Sequence, residues 1–308
     1  MIHFAVRSNM VESCESQVQK PMPPTPTTKP DSGSKQPAAT RLSATILLLR
    51  DGQDLLEVFM VERHHKIDFA EGALVFPGGK VEETDAAVEL APYCRGADSS
   101  SADHNTLRVA AIRETFEECG VLLARQRGEE SLIDGTRLAS ISRDHQDALQ
   151  KAERTMLEVV HDENLELAFD LLVPFAHWIT PEFMPKRFDT HFFLVAAPSD
   201  QLAVHDGYES VDSLWTTIPR ALELEKSGQR TIIFPTLENL KKLGRSDSVE
   251  EALDAARRDT IVTVLPTFSK AEDGTMMMEI PEAAGYDTVR TPMSSALGEV
   301  KPKDGSRK

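Results

Sequence analysis

The sequence predicts an α+β domain built around a mixed β-sheet, and three features of the 308-residue chain support that prediction. Two apolar runs, residues 43–49 and 56–62, flank an Asp51-Gly52 turn, which is typical of a β-hairpin. Residues 107–121 carry apolar side chains at helical spacing. Residues 187–197 are rich in aromatic and β-branched side chains, which favour a strand. An opening hairpin, a helix and a later strand indicate a sheet that packs against helices.

The composition of the chain predicts its domain boundaries. Residues 1–41 are rich in Ser, Thr, Pro, Lys and Gln, so we expect a disordered tail with too little apolar surface to offset the entropy of ordering. The main domain is expected over residues 42–245, with an insertion near 86–108. Residues 246–281 are expected to pack on it as a C-terminal extension, and residues 282–308 to form a flexible tail.

The second half of the chain is predicted to alternate helices and strands. Pro219 marks the start of one short helix, and Gly244 marks the end of another. The further expected elements are a helix within 144–160, a strand at 211–218, helices at 219–226, 234–243 and 249–258, and a hairpin over 260–280 around Asp273-Gly274.

Charge and cysteine content exclude several function classes. With 34 basic and 50 acidic residues the net charge is −16, which argues against a nucleic-acid or anionic-membrane surface. Three cysteines without a C-x-x-C pair indicate neither a disulfide framework nor a zinc site, and they favour a reducing, cytoplasmic compartment. No run approaches the roughly 18 apolar residues of a membrane span. The sequence therefore predicts a soluble globular enzyme whose oligomeric state is open, with a homodimer among the alternatives.

The predicted central helix has an acidic face. Glu114, Glu117 and Glu118 lie opposite its apolar stripe and within reach of one another. Like charges this close destabilise a helix, and Arg113 offsets only part of their repulsion. A solvated acidic surface is one interpretation. The upstream pair Gly78-Gly79 favours another, an oxygen-lined site for a hard divalent cation beside a closely approaching backbone. Magnesium is the expected ion, with manganese as a substitute.

These residues resemble a known motif. The pattern G-x5-E-x7-R-E-U-x-E-E-x-G-U of the Nudix hydrolases, with U aliphatic, is matched by Gly79 and by residues 113–121. Asp85 stands at the first glutamate, Thr115 stands at the first aliphatic position, and residues 86–112 number 27 where the pattern has 7. Because closure entropy grows slowly with loop length, we expect this polar insertion to loop out without disturbing either half of the motif.

Two further segments resemble one branch of that family. Arg63 followed by residues 69–79, F-A-E-G-A-L-V-F-P-G-G, and residues 187–194, R-F-D-T-H-F-F-L, are similar to the peroxisomal coenzyme A diphosphatases and their bacterial relatives. The resemblance implies a Nudix-type α/β/α sandwich and hydrolysis of a nucleoside diphosphate linked to another moiety. The implied substrate is coenzyme A or acyl-CoA, cut to 3′,5′-ADP and (acyl-)phosphopantetheine. The alternatives are an ADP-ribose or NADH pyrophosphatase, and a regulator that binds its ligand without hydrolysis.

The acidic side chains receive roles as hypotheses. Glu114, Glu117 and Glu118 are expected to ligate the metal, and Glu117 and Glu118 also count as catalytic groups. Arg113 is expected to hold Glu117 in place by an ion pair. Glu209 is the downstream candidate for a general base, with an ordinary surface carboxylate as the alternative.

Substrate contacts are expected from two glycines and two arginines. Gly78 and Gly79 would let the backbone approach a phosphate. Arg63 and Arg187 would bind substrate phosphates through paired N–H donors, with a structural ion pair as the alternative for each. The expected partner is therefore a small nucleoside diphosphate derivative, and neither a nucleic acid nor a membrane.

Overall fold

The computed structural model describes residues 38–63, 72–97, 101–201, 203 and 210–297. Most of the predicted N-terminal tail lies outside these residues. The described strands, numbered in chain order, are β1 Thr40–Asp51, β2 Leu56–Arg63, β3 Leu74–Val75, β4 Gly78–Lys80, β5 Cys94–Arg95, β6 Ala124–Gln126, β7 Leu165–Ala168, β8 Val173–Ile179, β9 Arg187–Ala196, β10 Ser210–Thr217, β11 Thr263–Val264, β12 Thr267–Lys270, β13 Met276–Glu279 and β14 Arg290–Pro292. The described α-helices are α1 Ala102–Cys119, α2 Gly135–Ile141, α3 Asp147–Gln150, α4 Met156–Asp162, α5 Ile218–Lys226, α6 Phe234–Leu243, α7 Val249–Arg258 and α8 Met293–Leu297.

The main sheet has the strand order β10-β2-β1-β9-β8-β11, with β3 paired to β2 and β4 paired to β1. Strands β1 and β2 form the predicted antiparallel hairpin. Strand β9 runs parallel to β1 from the pair Thr40 and Arg187 to the pair Leu49 and Ala196. The predicted mixed sheet is confirmed. Its long parallel pair places β9 beside β1, and β4 pairs with β1 as well. Two three-stranded sheets, β12-β13-β14 and β5-β7-β6, complete the described strands.

Strand β1 is buried on both faces, which explains its nearly continuous apolar run. Ile46 and Leu48 pack in one core with the apolar side of α1. Leu47 and Leu49 pack in a second core with α5, α6 and α7. Helices on both faces of one sheet make the predicted three-layer sandwich.

Helix α1 is defined by caps at both ends. The Ser101 side chain accepts the backbone N–H of His104, and Gly120 adopts the left-handed conformation at φ 64° that a C-terminal cap requires. The predicted glycine stop is confirmed. The helix begins five residues before the predicted start at Leu107. Its first turns consist mainly of polar residues, so the apolar pattern did not reveal them. None of the helices in the described part of the chain is long and apolar enough to cross a membrane.

The insertion was expected to loop out, but its described residues form regular structure that packs on the domain. A 3₁₀-helix spans Val88–Tyr93, and Leu90 within it is buried in the core. Strand β5 then pairs in parallel with β7. The insertion packs through its few apolar side chains, and a polar average composition did not reveal them.

Three expectations for other segments are also corrected. The single helix expected within 144–160 is instead divided among a π-helix, Ser142–Gln146, and the short helices α3 and α4. The C-terminal hairpin pairs β12 with β13, while β11 joins the main sheet beside β8. The expected frayed end past residue 281 continues in regular structure to α8, and Tyr286 is buried where its hydroxyl accepts the Trp178 indole N–H and donates to Asn239.

Candidate active site

A buried arginine on α1 joins the two halves of the sequence motif. Arg113, 3% exposed, donates from Nε to Asp85 Oδ1 at 2.8 Å and from a terminal nitrogen to Asp85 Oδ2 at 2.9 Å. The same terminal nitrogen donates to the Lys80 carbonyl at 2.8 Å. The Glu82 backbone N–H also donates to Asp85, which fixes that carboxylate. A bidentate buried pair of this kind holds the loop after β4 against the helix.

Arg113 also contacts two of the three predicted metal ligands. Its other terminal nitrogen lies 3.0 Å from Glu114 Oε1 and 3.3 Å from Glu117 Oε2. Burial opposes its charge, but the hydrogen bond to Asp85 and the neighbouring carboxylates hold the pKa of Arg113 above its usual value. The expected contact with Glu117 is present, and the stronger partner is Asp85, which the spacing of the motif did not reveal.

The third carboxylate is held by the glycine bend. Gly78 donates its backbone N–H to Glu118 Oε2 at 2.9 Å. Gly78 has a φ of +150°, and a Cβ atom on Gly79 would lie 2.4 Å from Glu114 Oε1. The double-glycine bend therefore lies directly beside the acidic face of α1. The missing side chain of Gly79 lets the Glu114 carboxylate approach the backbone, whereas that of Gly78 lets the bend pack against Ala44 and Thr45 of β1.

The carboxylates fit a hard divalent cation. Asp85, Glu114 and Glu117 share the Arg113 guanidinium, so negative charge exceeds positive charge in these contacts. Burial raises the pKa of Glu117 to about 8, Arg113 opposes that rise, and Glu114 adds to it. Crowded oxygen donors with surplus negative charge are the ligand set that Mg²⁺ and Mn²⁺ prefer. Glu114, Glu117 and Glu118 are the residues that would hold the ion.

The comparisons with known proteins match this geometry. The family model "NUDT19 Nudix domain" matches residues 93–243. A crystal structure of a NUDIX hydrolase from Alicyclobacillus acidocaldarius is 28% identical, covers 70% of this chain and 96% of its own, and superposes with a TM-score of 0.55. The chain belongs to the Nudix family. Membership places it among the hydrolases that act on diphosphate linkages.

Two curated relatives of this Nudix chain have informative names. "Acyl-coenzyme A diphosphatase NUDT19" of Xenopus laevis is 25% identical over 266 residues, covering 71% of this chain and 68% of that protein. "Putative nudix hydrolase 7" of Caenorhabditis elegans is 24% identical over 188 residues, covering 61% and 56%. The chain therefore spans between about half and two thirds of the length of these relatives. The first relative supports the coenzyme A diphosphatase-like branch.

The other predicted residues of the Nudix site have different surroundings. Arg63 ends β2, and its buried Nε atom has no hydrogen-bond partner within the described residues, which leaves a donor available for a ligand. Arg187 donates to the backbone carbonyls of Thr180 and Ala38, each at 3.0 Å. This arrangement favours the structural alternative for Arg187 over phosphate binding. Glu209, the predicted general base, lies outside the described residues.

A second polar cluster, which no sequence pattern above indicated, lies on the sheet of this Nudix domain. His177 on β8 contacts Asp189 on β9, and the rings of His177 and His191 stack with their centroids 3.9 Å apart. The pKa of His191 is lowered to about 4, mainly by burial and secondly by the nearby charge of His177. The alternation Asp189-Thr190-His191 was the available signal, since residues i and i+2 of a strand share one face.

Proposed function

We propose that this Nudix protein hydrolyses the diphosphate linkage of coenzyme A or acyl-CoA with Mg²⁺, or Mn²⁺ in its place. The products would be 3′,5′-ADP and (acyl-)phosphopantetheine. The observation that carries the proposal is the convergence of Glu114, Glu117 and Glu118 beside the Gly78-Gly79 bend. Similarity to a relative named acyl-coenzyme A diphosphatase supports the choice of substrate. A cytoplasmic location stays a prediction.

The side chains around the glutamates hold the proposed metal ligands in fixed orientations. Arg113 holds Glu114 and Glu117 in one orientation, and Asp85 holds Arg113 in turn. The Gly78 N–H orients Glu118. When bound, a divalent ion neutralises phosphate oxygens and orients a water nucleophile. Pre-formed oxygen ligands spare the reaction the cost of arranging them, and this is where the chain itself contributes to the rate.

Phosphate recognition has one favoured candidate outside the helix. The Nε atom of Arg63 is buried without a hydrogen-bond partner in the described part of the chain, and an unsatisfied buried donor costs about 1–3 kcal/mol. A phosphate oxygen of the substrate would satisfy it. We therefore keep Arg63 as the proposed phosphate-binding arginine and replace the same proposal for Arg187 with a structural role.

An ADP-ribose or NADH pyrophosphatase is the second candidate. A regulator that binds without hydrolysis is the third, but it has no need to maintain the mutually repelling carboxylates of Asp85, Glu114 and Glu117 around one guanidinium. The enzyme is therefore favoured over the regulator.

The deciding experiment incubates the full chain with Mg²⁺ and, separately, coenzyme A, acetyl-CoA, ADP-ribose and NADH, and separates the products chromatographically. We expect 3′,5′-ADP from the first two and little product from the others. Glu118→Gln serves as the inactive variant, and Glu153→Gln, at an exposed turn, serves as the matched control. Turnover of ADP-ribose alone would favour the second candidate. Binding of one compound with turnover of none would favour the regulator.

A further inference from the structure

A second cluster of ligand-type side chains lies on the main sheet, apart from the glutamates. His177 on β8 is the direct cross-strand partner of His191 on β9. Asp189 precedes His191 by two residues, so its side chain emerges on the same face. Three side chains of types that bind metals are thus brought together by strand register alone.

The atoms of this cluster converge on one point. His177 Nε2 lies 2.5 Å from Asp189 Oδ1, and His191 Nε2 lies 3.6 Å from the same oxygen. One ligand atom from each residue falls within 4.8 Å of the other two. The side chains of His177, Asp189 and His191 are 17%, 27% and 26% exposed, so solvent reaches the cluster.

A neighbouring hydroxyl orients the His177 imidazole in the way that metal binding requires. Thr263 Oγ1 on β11 lies 2.8 Å from His177 Nδ1. When Nδ1–H donates to that hydroxyl, the lone pair of Nε2 points toward the Asp189 carboxylate, so both atoms can bind one cation. Without a metal, a protonated Nε2 donates a hydrogen bond to Asp189 Oδ1 at 2.5 Å, and a metal ion would replace that proton. A hydrogen bond from the distal imidazole nitrogen is also the usual outer contact of a metal-binding histidine.

The cluster shares a sheet face with the glutamates but not their chemistry. His191 pairs with Ala44, and Ala44 pairs with Gly79. Two strand spacings therefore separate the backbones of His191 and Gly79, roughly 10 Å. Ala44 packs in the same core as α1, which places the cluster on the α1 side of the sheet. Two imidazoles and a carboxylate suit a divalent transition metal, whereas Mg²⁺ prefers oxygen ligands only.

We propose that His177, Asp189 and His191 bind a divalent transition-metal ion, with Zn²⁺ the best fit, in a site separate from the glutamate site. Three protein ligands leave the fourth position of a tetrahedral zinc site open to water or an anionic group. The site joins β8 to β9, and Thr263 extends its support to β11.

The test uses the full-length protein after removal of metals with a chelator. Zn²⁺ binding is measured by equilibrium dialysis with excess Mg²⁺ present, and Co²⁺ is used as a spectroscopic probe. The background is Glu118→Gln, so that zinc bound at the glutamates does not obscure the result. We expect this variant to bind one tight equivalent of Zn²⁺ and to give a visible Co²⁺ absorption band.

Adding His177→Asn or His191→Asn to that background should weaken Zn²⁺ binding at least a hundredfold and abolish the Co²⁺ band. The matched control is His161→Asn, because His161 also pairs with a carboxylate but is 69% exposed on α4. It should change neither reading. Thr263→Val, which removes only the outer contact, should weaken Zn²⁺ binding roughly 10- to 100-fold.

Thermal melting in the absence of metal checks that each variant is folded, and Asp189→Asn replaces a histidine variant that is not. Equal Zn²⁺ binding by the folded histidine variants and by their background overturns the proposal. Absence of tight Zn²⁺ binding in the Glu118→Gln background, when the unsubstituted protein binds it, overturns it as well and assigns the zinc to the glutamates.

Discussion

Replacing each glycine of the bend by alanine should produce two different defects. A Cβ atom on Gly79 would lie 2.4 Å from Glu114 Oε1, and ordinary contacts begin at 3.4 Å. The carboxylate must therefore move by about 1 Å. Because it ends a flexible side chain, the movement should cost little stability. A misplacement of about 1 Å can lower a reaction rate roughly a hundredfold, and we expect Gly79→Ala to lose about that much turnover.

Gly78→Ala should instead destabilise the fold. A Cβ atom there would meet the Ala44 carbonyl oxygen at 2.4 Å and Thr45 Cα at 2.6 Å, and these backbone atoms belong to the central strand. The φ of +150° adds strain for a residue with a side chain. Overpacking and backbone strain together cost about 4 kcal/mol. For a domain of this size that lowers Tm by roughly 8–16 °C.

The assay is thermal melting followed by circular dichroism, together with steady-state hydrolysis of the preferred substrate. Gly228→Ala is the control for positive φ alone, because Gly228 has φ +71° and no atom near its Cβ position. Gly79→Ala should melt within about 2 °C of the unsubstituted protein. Full turnover by Gly79→Ala, or a loss of Tm equal to that of Gly78→Ala, would refute the assignment of the bend to the site.

Three further outcomes are expected. Glu118→Gln should lower turnover at least about a hundredfold with Tm nearly unchanged, because the amide oxygen still accepts the Gly78 N–H; retention of more than half the activity would count against the metal site. Asp85→Ala should cost about 3–5 kcal/mol in denaturant unfolding, because it leaves the buried Arg113 guanidinium without its bidentate partner. The control is Glu130→Ala, which removes a 93% exposed partner of Arg95 and should lower the free energy of unfolding by less than about 1 kcal/mol. Equal losses of stability in the two variants would contradict the reasoning. Burial raises the pKa of Cys94 from 9.0 to about 12, so the unfolded chain loses this proton above pH 9 while the folded chain keeps it until pH 12. The stabilisation is complete below pH 9 and declines toward pH 12, by at most about 1.4 kcal/mol per pH unit. The free energy of unfolding should fall less steeply over that interval in Cys94→Ala, and identical slopes would show that the thiol has no part in it.

Elements with a strong local pattern were predictable from the sequence. The helix Val249–Arg258 agrees with the predicted limits, and the strand beginning at Arg187 ends one residue early. Both have side chains whose spacing or β-branching specifies one structure without help from distant residues. Strand β5 has two residues and no pattern of its own, so its pairing with β7 decides it.

The residues of the candidate site also form two groups, those that a local pattern predicts and those that only distant contacts bring together. Three glutamates on one helix face follow from spacing along a single element. The pair formed by Asp85 and Arg113 crosses 28 positions, and the cross-strand pair of His177 and His191 depends on which residues of β8 and β9 face each other. Register between strands depends on tertiary packing, and one sequence without relatives does not specify it.

The hydrogen bonds that Tyr286 makes to Trp178 and Asn239 have a practical consequence for anyone who prepares shorter forms of this protein. Shortening the chain at Pro281 would remove the phenol, leave the indole N–H facing an empty space, and uncover the aromatic surface of β8. Such a shortened protein should aggregate during expression. The residues needed for folding therefore extend at least to Tyr286, beyond residue 243, where the match to the family model ends.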